Sequence, residues 1–367
     1  MTNNLGLYLH IPFCEKKCRY CDFYSTFLTE ELLDSYTTAL IKSIKEWGGK
    51  LRRPISTVYF GGGTPSLLGK RILPLMAAIK ECFTLEENAE ITIELNPRSN
   101  SKEALNYFKE AGINRLSIGM QSALDSELEV LGRTHSFFQT KETVLMAREV
   151  GFSNVSLDLM LGLPNSTPET LEKSLNAITE LNPQHISAYI LKIEPNTVFY
   201  KNENSLNFPD EDKTAAQYLQ MCEFLESKGY SHYEISNFAK VGFESRHNLK
   251  YWHCEEYLGI GPSAHSFLDG KRFYYPRDLK AFINEGEPVF DGVGGEWEEY
   301  IMLQLRLKEG LNLTALEKRY GKTLSAHTLR KIRLLEKNGL VTTGHNSVSL
   351  TNNGFLLSNA IISEILE

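Results

Sequence analysis

The sequence lacks the features that mark a secreted, membrane-embedded or disulfide-stabilised protein. Only six of its 367 residues are cysteine, too few for a disulfide scaffold. No apolar run approaches the roughly 20 residues of a membrane span. The opening residues MTNNLGLYLHIPF also lack the charged start and the length of a signal peptide. These absences predict a cytoplasmic protein whose thiols stay reduced.

Basic residues are scarce relative to acidic ones. Lys and Arg number 39 against 46 Asp and Glu, which gives a net charge of −7 and a pI of about 5.8. Because a nucleic-acid-binding chain is usually basic, we expect no nucleic-acid partner. The length allows about two domains.

Short apolar runs alternate with amphipathic stretches in the first half of the chain. Helix-length segments such as 31–47 and 140–150 separate the runs. This alternation predicts an α/β protein with a parallel sheet, either open and doubly wound or curved into a partial barrel. Ligands gather at the carboxyl ends of the strands in both. Six runs have the nearly continuous apolar character of strands buried on both faces: 5–11, 57–60, 90–95, 115–120, 154–163 and 185–191.

The pattern loosens beyond residue 195. A helix is predicted over 209–228, and a stretch rich in aromatics, glycine and histidine follows it. From about residue 295 the order helix, helix, helix, short strands, helix resembles a winged-helix module. Its last 57 residues carry seven Lys or Arg and four Asp or Glu, which we interpret as a packed or partner-binding appendage. We therefore divide the chain into 1–200, 201–290 and 291–367.

Three cysteines near the N-terminus fall within eight residues. The stretch HIPFCEKKCRYCDFYS contains Cys14, Cys18 and Cys21. A structural zinc site needs four protein ligands, whereas three thiolates leave one iron of a [4Fe–4S] cluster open to an exogenous ligand. We therefore predict a [4Fe–4S] cluster, with His10 packed near it. Cys82 and Cys222 are expected to be ordinary buried thiols.

Polar and glycine-rich positions follow the predicted strands. In GGGTP, after the second strand, glycines let a ligand approach the backbone, and Thr64 adds a hydroxyl. Glu94 closes the third strand, Gln121 follows the fourth, and Asp158 lies within the fifth. Since parallel strands end at one edge, these residues predict one polar ligand site.

The spacing CxxxCxxC after a first strand, with GGGTP after a second, resembles the radical S-adenosylmethionine (SAM) superfamily. Within it, the chain resembles the oxygen-independent coproporphyrinogen III oxidase family over about residues 5–266. The resemblance implies a (β/α)6 partial barrel followed by a small winged-helix-like domain, and a cluster whose open iron is chelated by SAM. The matching stretches are LYLHIPFCEKKCRYCDF, YFGGGTPSLL, ITIELNP, LSIGMQS, LGRTH, DLMLGLP and HNLKYWHCEEYLGIGPSAHS.

The resemblance also implies which side chains serve the site. Tyr20 would support adenine, Arg133 would suit the SAM carboxylate, and Asp158 a ribose hydroxyl or amine. Oxidases of the family bind two SAM molecules, so whether this chain binds one or two is left open. No residue is assigned a catalytic role. The implied SAM contacts are Tyr8, Tyr20, Gly62, Gly63, Thr64, Glu94, Gln121, Arg133 and Asp158, beside cluster ligands Cys14, Cys18 and Cys21.

Two features depart from the oxidase pattern. The oxidase has a further cysteine where this chain has Phe23, and a longer segment before the cluster, where this chain has 13 residues. A radical enzyme must seal its intermediate from water. Oxidative decarboxylation of coproporphyrinogen III to protoporphyrinogen IX is therefore the second hypothesis, and whether the protein is an enzyme stays open.

Both departures, together with HNLKYW, resemble the haem-chaperone branch of the family. That resemblance implies that His247 is an axial ligand of haem b, with His253 and Cys254 as alternatives, and Tyr251 and Trp252 as flat apolar surface. It implies a chaperone that transfers haem to haem proteins such as respiratory enzymes. Peripheral membrane contact and a homodimer are left open. A winged-helix regulator that senses iron or redox state is a third hypothesis.

Overall fold

The computed structural model describes residues 4–99 and 101–367, so the first three residues of the stretch examined for a signal peptide lie outside it. The strands in this part of the chain are β1 Leu5–Ile11, β2 Phe13–Cys14, β3 Thr26–Phe27, β4 Ile55–Gly62, β5 Leu85–Leu95, β6 Arg115–Gln121, β7 Val155–Leu161, β8 His185–Ile190, β9 Ser231–Glu234, β10 Asn237–Ala239, β11 Tyr257–Ile260, β12 His265–Leu268, β13 Lys271–Tyr274, β14 Val289–Val293, β15 Leu311–Asn312, β16 Val341–Thr343 and β17 Ser347–Leu350.

The helices connect these strands and build the C-terminal part. Short 3₁₀ turns occupy Pro65–Arg71, Pro97–Ser99 and Glu203–Ser205. The α-helices are α1 Glu30–Lys50, α2 Ile72–Cys82, α3 Lys102–Ala111, α4 Asp125–Leu131, α5 Phe137–Glu149, α6 Pro168–Glu180, α7 Val198–Lys201, α8 Glu211–Ser227, α9 Arg246–Trp252, α10 Leu279–Ile283, α11 Trp297–Gln304, α12 Leu313–Tyr320, α13 Ala326–Lys337, α14 Asn352–Leu356 and α15 Ser358–Leu366.

One large sheet organises the molecule. Its strand order is β14-β13-β12-β11-β1-β4-β5-β6-β7-β8-β10-β9. The six strands from β1 to β8 in this order run parallel, and each pairs with the next predicted strand along the chain. This arrangement confirms the predicted (β/α)6 partial barrel. The sheet also continues on the other side of β1, where β11 adds in parallel and β12 to β14 in antiparallel pairs.

Burial explains why the sequence forms these strands. In β6 every residue is buried, and β1 and β7 each have six buried residues of seven, as expected for parallel strands covered on both faces. The helices begin at polar caps that satisfy free backbone N–H groups: Thr29 accepts from the amide of Leu32, and Asp210 accepts from that of Lys213. Cys222 is buried as expected, whereas Cys82, the last residue of α2, is only half-buried.

The C-terminal part packs against the end of the main sheet. Helices α12 and α13 are followed by the antiparallel pair β16–β17, which gives the winged-helix order. Backbone bonds attach this part to the sheet edge, since the amide of Lys308 donates to the carbonyl of Tyr233 at 3.0 Å. The predicted division at residues 200 and 290 stays a prediction. No helix within residues 4–99 and 101–367 has both the length and the apolar character to cross a bilayer.

We expect Phe60→Ala to destabilise the protein by about 3–5 kcal/mol, because it leaves a cavity in the core beneath the sheet. Phe60 lies on β4 and is fully buried. The matched control is Phe138→Ala on α5, where 65% of the side chain is exposed, so its effect should stay within about 0.5 kcal/mol. Urea unfolding of both variants measures the difference, and equal losses would contradict the assignment of Phe60 to the core.

Candidate functional site

The carboxyl ends of the parallel strands meet at one pocket. Its walls include the cysteine loop, the glycine turn after β4 and the ends of β5 to β8. Ten residues that the sequence singles out for the cluster and SAM line this pocket: Cys14, Cys18, Tyr20, Cys21, Gly62, Gly63, Glu94, Gln121, Arg133 and Asp158. Residues 144 positions apart in the chain therefore share one site.

The cysteine loop is tied to the glycine turn by the backbone. The amide of Gly63 donates to the carbonyl of Ile11 at 2.8 Å, and the amide of Thr64 donates to that of Phe13 at 2.7 Å. These bonds continue the β1–β4 pairing beyond the strand ends. A Cβ on Gly63 would lie 2.5 Å from the carbonyl oxygen of Phe13, so only glycine permits this approach.

The three thiols are free and half-buried. The Thr64 hydroxyl lies 3.6 Å from the sulfur of Cys14, and a guanidinium nitrogen of Arg133 lies 3.6 Å from that of Cys18. Burial raises the pKa of the Cys21 thiol to about 11 and also raises that of Cys14. Donors such as Thr64 and Arg133 therefore suit sulfurs that become charged when they bind iron.

His10 is held by hydrogen bonds beside the cysteine loop. Within residues 4–99 and 101–367, no three His, Cys, Asp or Glu side chains converge on the position of one metal ion. The ring nitrogens of His10 contact the Tyr24 carbonyl at 2.9 Å and the Tyr8 hydroxyl at 3.0 Å, so neither nitrogen is free to bind a metal.

Two carboxylates lie in the wall opposite the cysteines. Glu94 accepts from the hydroxyl of Tyr59 at 2.9 Å and from the amide of Gly62 at 3.1 Å. Burial raises its pKa to about 7, and the nearby Asp158 adds to this rise. Burial likewise raises the pKa of Asp158 to about 6. A cationic ligand such as an amine would stabilise both carboxylates in their charged form.

The cationic and amide groups of the wall are held in place by buried hydrogen bonds. A guanidinium nitrogen of Arg133 donates to the carbonyl of Gly119 at 2.7 Å, while its buried Nε has no partner among the described residues. Gln121 accepts from the hydroxyl of Tyr189 at 2.9 Å and has a φ of 68°. A left-handed glutamine at a strand end is strained, and such strain is found most often at ligand sites.

Two predicted residues lie away from this pocket. Thr64 contacts Cys14 from behind the glycine turn. Tyr8 does not line the pocket, and its ring is stacked on that of Tyr59 at a centroid distance of 6.2 Å, so its contact with SAM stays a prediction. Through Tyr59, it supports Glu94 from below.

His247 lies at the other end of the barrel. It is 1% exposed, its Nδ1 lies 2.8 Å from the Thr57 hydroxyl, and its Nε2 lies 2.7 Å from the Tyr251 hydroxyl. Thr57 precedes Gly62 by five residues on β4, so about 16 Å separates the two ends at the usual strand rise. The structure therefore does not bring His247 to the cysteine pocket.

Sequence reasoning missed several residues that complete the site. Tyr189 holds Gln121, Tyr59 holds Glu94, and the Ser117 hydroxyl lies 3.4 Å from Asp158. The alternation of side chains along a strand could have predicted them, because residues two positions apart lie on the same face. Ser117, for example, precedes the pocket residue Gly119 by two positions on β6. Phe23 lines the pocket with 66% of its side chain exposed, at the position where the oxidase has a cysteine.

The residues present fit the two implied cofactors. Three thiols can each bind an iron, the unpartnered Nε of Arg133 suits a carboxylate, and Glu94 and Asp158 suit an amine or hydroxyl groups. If both were bound, the reduced cluster would supply the electron that cleaves the sulfonium bond of SAM. The division of these contacts between one or two SAM molecules stays a prediction.

Comparisons with known proteins agree with this geometry. The radical SAM superfamily profile matches residues 8–178, and the HemN C-terminal domain profile matches residues 296–357. The heme chaperone HemW of Bacillus subtilis (strain 168) is 37% identical over 98% of both chains. That of Lactococcus lactis (strain IL1403) is 34% identical over 98% of this chain and 96% of its own. The chain belongs to the HemW family.

A solved structure supports the fold of this HemW-family chain. Coproporphyrinogen III oxidase HemN from Escherichia coli superposes with a TM-score of 0.85 and 25% identity, covering 99% of this chain and 90% of HemN. The heme chaperone HemW of the same bacterium is 39% identical over 73% of this chain and 72% of its own. The radical SAM match implies a [4Fe–4S] cluster and SAM for this HemW-family chain.

We expect Gly63→Ala to lower the iron content of the reconstituted protein, because the new Cβ would push the Phe13–Cys14 backbone away from the glycine turn. The matched control is Gly49→Ala in α1, where a Cβ would meet nothing within 4 Å. Iron and sulfide analysis and the cluster absorption band measure the outcome. A full cluster in Gly63→Ala would contradict the role of this contact.

We expect Glu94→Gln to stabilise the metal-free protein relative to the parent progressively as the pH rises from about 5 to about 8, by about 2–3 kcal/mol. The Glu94 carboxyl has a pKa of about 7 in the fold but about 4.5 when unfolded. The unfolded chain thus releases this proton first, and the parent loses stability with rising pH. Unfolding at several pH values measures the difference in free energy of unfolding between variant and parent, and the exposed Glu142→Gln is the control. If that difference did not change with pH, Glu94 would not be a buried carboxyl with a raised pKa.

Proposed function

We propose that this protein is a haem chaperone that binds SAM and a [4Fe–4S] cluster, holds haem b, and transfers it to haem proteins such as respiratory enzymes. The single observation that carries this proposal is the near full-length similarity to heme chaperones HemW, at 37% identity over 98% of both chains. The sequence HNLKYW and the replacement of an oxidase cysteine by Phe23 support the same conclusion.

The cysteine pocket would hold the cofactors. Cys14, Cys18 and Cys21 would bind three irons, and the wall formed by Glu94, Arg133 and Asp158 would hold SAM beside the fourth. The Thr64 hydroxyl and the Arg133 guanidinium, each 3.6 Å from one of the sulfurs, would stabilise the charged thiolates. A cluster so held can serve structure or gating of haem transfer, and turnover of SAM is not required for the chaperone function.

The haem would be held by the region that includes α9 and the residues after it. His247 is the ligand that the sequence predicts, but both of its ring nitrogens already have partners. Its ligation to iron would require that the bond between Nε2 and the Tyr251 hydroxyl break. A homodimer, peripheral membrane contact and a cytoplasmic location stay predictions.

The second candidate function is that of the coproporphyrinogen III oxidase. The overall superposition with HemN at a TM-score of 0.85 favours it. Phe23 argues against it, because an exposed phenyl ring replaces a thiol at the mouth of the pocket. Both candidates share the cofactor site, so the substrate decides between them.

Haem titration and oxidase assay on one anaerobic, cluster-loaded sample separate the two functions. We expect a saturable Soret shift with about one haem per chain, transfer of that haem to an apo-haem protein, and no protoporphyrinogen IX from coproporphyrinogen III with reductant and SAM. Cluster-free protein is the control for the role of the cofactor in transfer. If the sample formed protoporphyrinogen IX and bound no haem, the chaperone function would be contradicted and the oxidase function supported.

A further inference from the structure

Two tyrosines fill the barrel interior between the cysteine pocket and His247. Tyr8 on β1 and Tyr59 on β4 are register partners, and their rings stack at a centroid distance of 6.2 Å. A Cβ on Gly61 would lie 2.9 Å from an atom of each ring, so glycine leaves room for them. Because barrel interiors are usually filled by branched apolar side chains, two phenols at this level indicate a role beyond packing.

Tyr59 contacts the cofactor pocket through its hydroxyl. It donates to one carboxylate oxygen of Glu94 at 2.9 Å, and the other oxygen accepts from the amide of Gly62 at 3.1 Å. Because burial raises the pKa of Glu94 to about 7, part of the empty protein has a neutral carboxyl here at neutral pH. A ligand amine in the pocket would hold this carboxyl in its charged form. Since a charged acceptor forms the stronger hydrogen bond, an occupied pocket would hold the Tyr59 hydroxyl more firmly.

The ring of Tyr59 also contacts His247. The two rings stack at a centroid distance of 5.1 Å with 30° between their planes, and such aromatic pairs contribute about 0.5–1.5 kcal/mol beyond the burial of their surface. The Thr57 hydroxyl, two residues earlier on β4, lies 2.8 Å from Nδ1 of the same imidazole. One strand therefore carries contacts to both His247 and the cofactor-pocket carboxylate of Glu94.

His247 has to leave this arrangement in order to bind iron. Its imidazole is 1% exposed, and its Nε2 lies 2.7 Å from the Tyr251 hydroxyl. Ligation through Nε2 therefore requires the ring to turn or α9 to shift, and either movement changes the stacking of His247 on Tyr59. The stacked arrangement and the haem-bound arrangement are thus two states of one contact. A ligand that stabilises one state lowers the affinity for a ligand that needs the other.

We infer that Tyr59 couples the two sites, so that SAM in the cysteine pocket lowers the affinity of His247 for haem and favours release of the haem. This inference rests on the proposed chaperone function and adds a regulatory link between its cofactor and its cargo. Tyr59 is a positioning residue, because it touches Glu94 and His247 but does not itself line the pocket. Such coupling is reciprocal, so haem lowers the affinity for SAM by the same factor.

Haem titration with and without saturating SAM measures the coupling. The sample is the full chain, loaded with its cluster under anaerobic conditions and kept without reductant, so that SAM stays intact. We expect SAM to raise the Kd for haem at least about fivefold in the parent. Tyr59→Phe keeps the ring but loses the bond to Glu94, so its factor should fall below about twofold. The matched control is Tyr107→Phe, which removes a 2.8 Å bond to Glu103 on the surface of α3 and should retain the parent factor.

A second variant keeps the test decisive if Tyr59→Phe fails to fold. Glu94→Gln has no charge for the SAM amine to stabilise, so saturating SAM should change its Kd for haem by less than about twofold. The full parent factor in this variant overturns the inference. Equilibrium dialysis confirms that each variant binds SAM at the concentration used, and thermal unfolding confirms that each is folded.

The outcomes separate this inference from the proposed function. Equal Kd values for haem with and without SAM in the parent, or a lower Kd with SAM, overturn the coupling and leave the chaperone function standing. The parent factor retained in Tyr59→Phe overturns the role of Tyr59. Parent protein that binds no haem contradicts the chaperone function itself.

Discussion

Two backbone hydrogen bonds beyond the end of β1 and β4 hold the functional half of the molecule together. They join Gly63 to Ile11 and Thr64 to Phe13, so the strand pairing continues into the loop that carries the cysteines. The glycine at 63 is what makes this continuation sterically feasible. Without this contact, Cys14 would not lie against the turn that borders Glu94, and the pocket would lose one wall.

The barrel interior has different chemistry at its two ends. At the carboxyl end, Glu94 and Asp158 have raised pKa values because burial disfavours their charge, and a cation is needed to restore it. At the other end, His247 has a pKa lowered to about 3 by burial, and its ring is fully bonded as a neutral group. A satisfied polar residue of this kind stabilises the closed base, whereas at the carboxyl end the buried Nε of Arg133 has no partner among the described residues.

The two ends of the seven-residue helix α9 lie in different environments. Its first turn is anchored to the barrel through Glu90 and Thr57. Its last residue, Trp252, is followed by His253 at the border of an open cleft. About 9 Å of helix separates the two histidines, which is enough to place one in the core and the other at the surface between the sheet and the C-terminal helices.

The sequence by itself determined the local features: the six strands, the cysteine spacing and the glycine turn, because burial on both faces and steric freedom leave a local signature. Because parallel strands end at one edge of the sheet, the sequence also predicted that Glu94, Gln121 and Asp158 lie close together. Only the tertiary structure decided which side chains form hydrogen bonds with these three residues. In the sequence, Tyr59 and Tyr189 do not differ from other tyrosines in strands. The motif HNLKYW likewise does not indicate that His247 is buried in the core. These partners are distant in the chain, so long-range packing alone determines them.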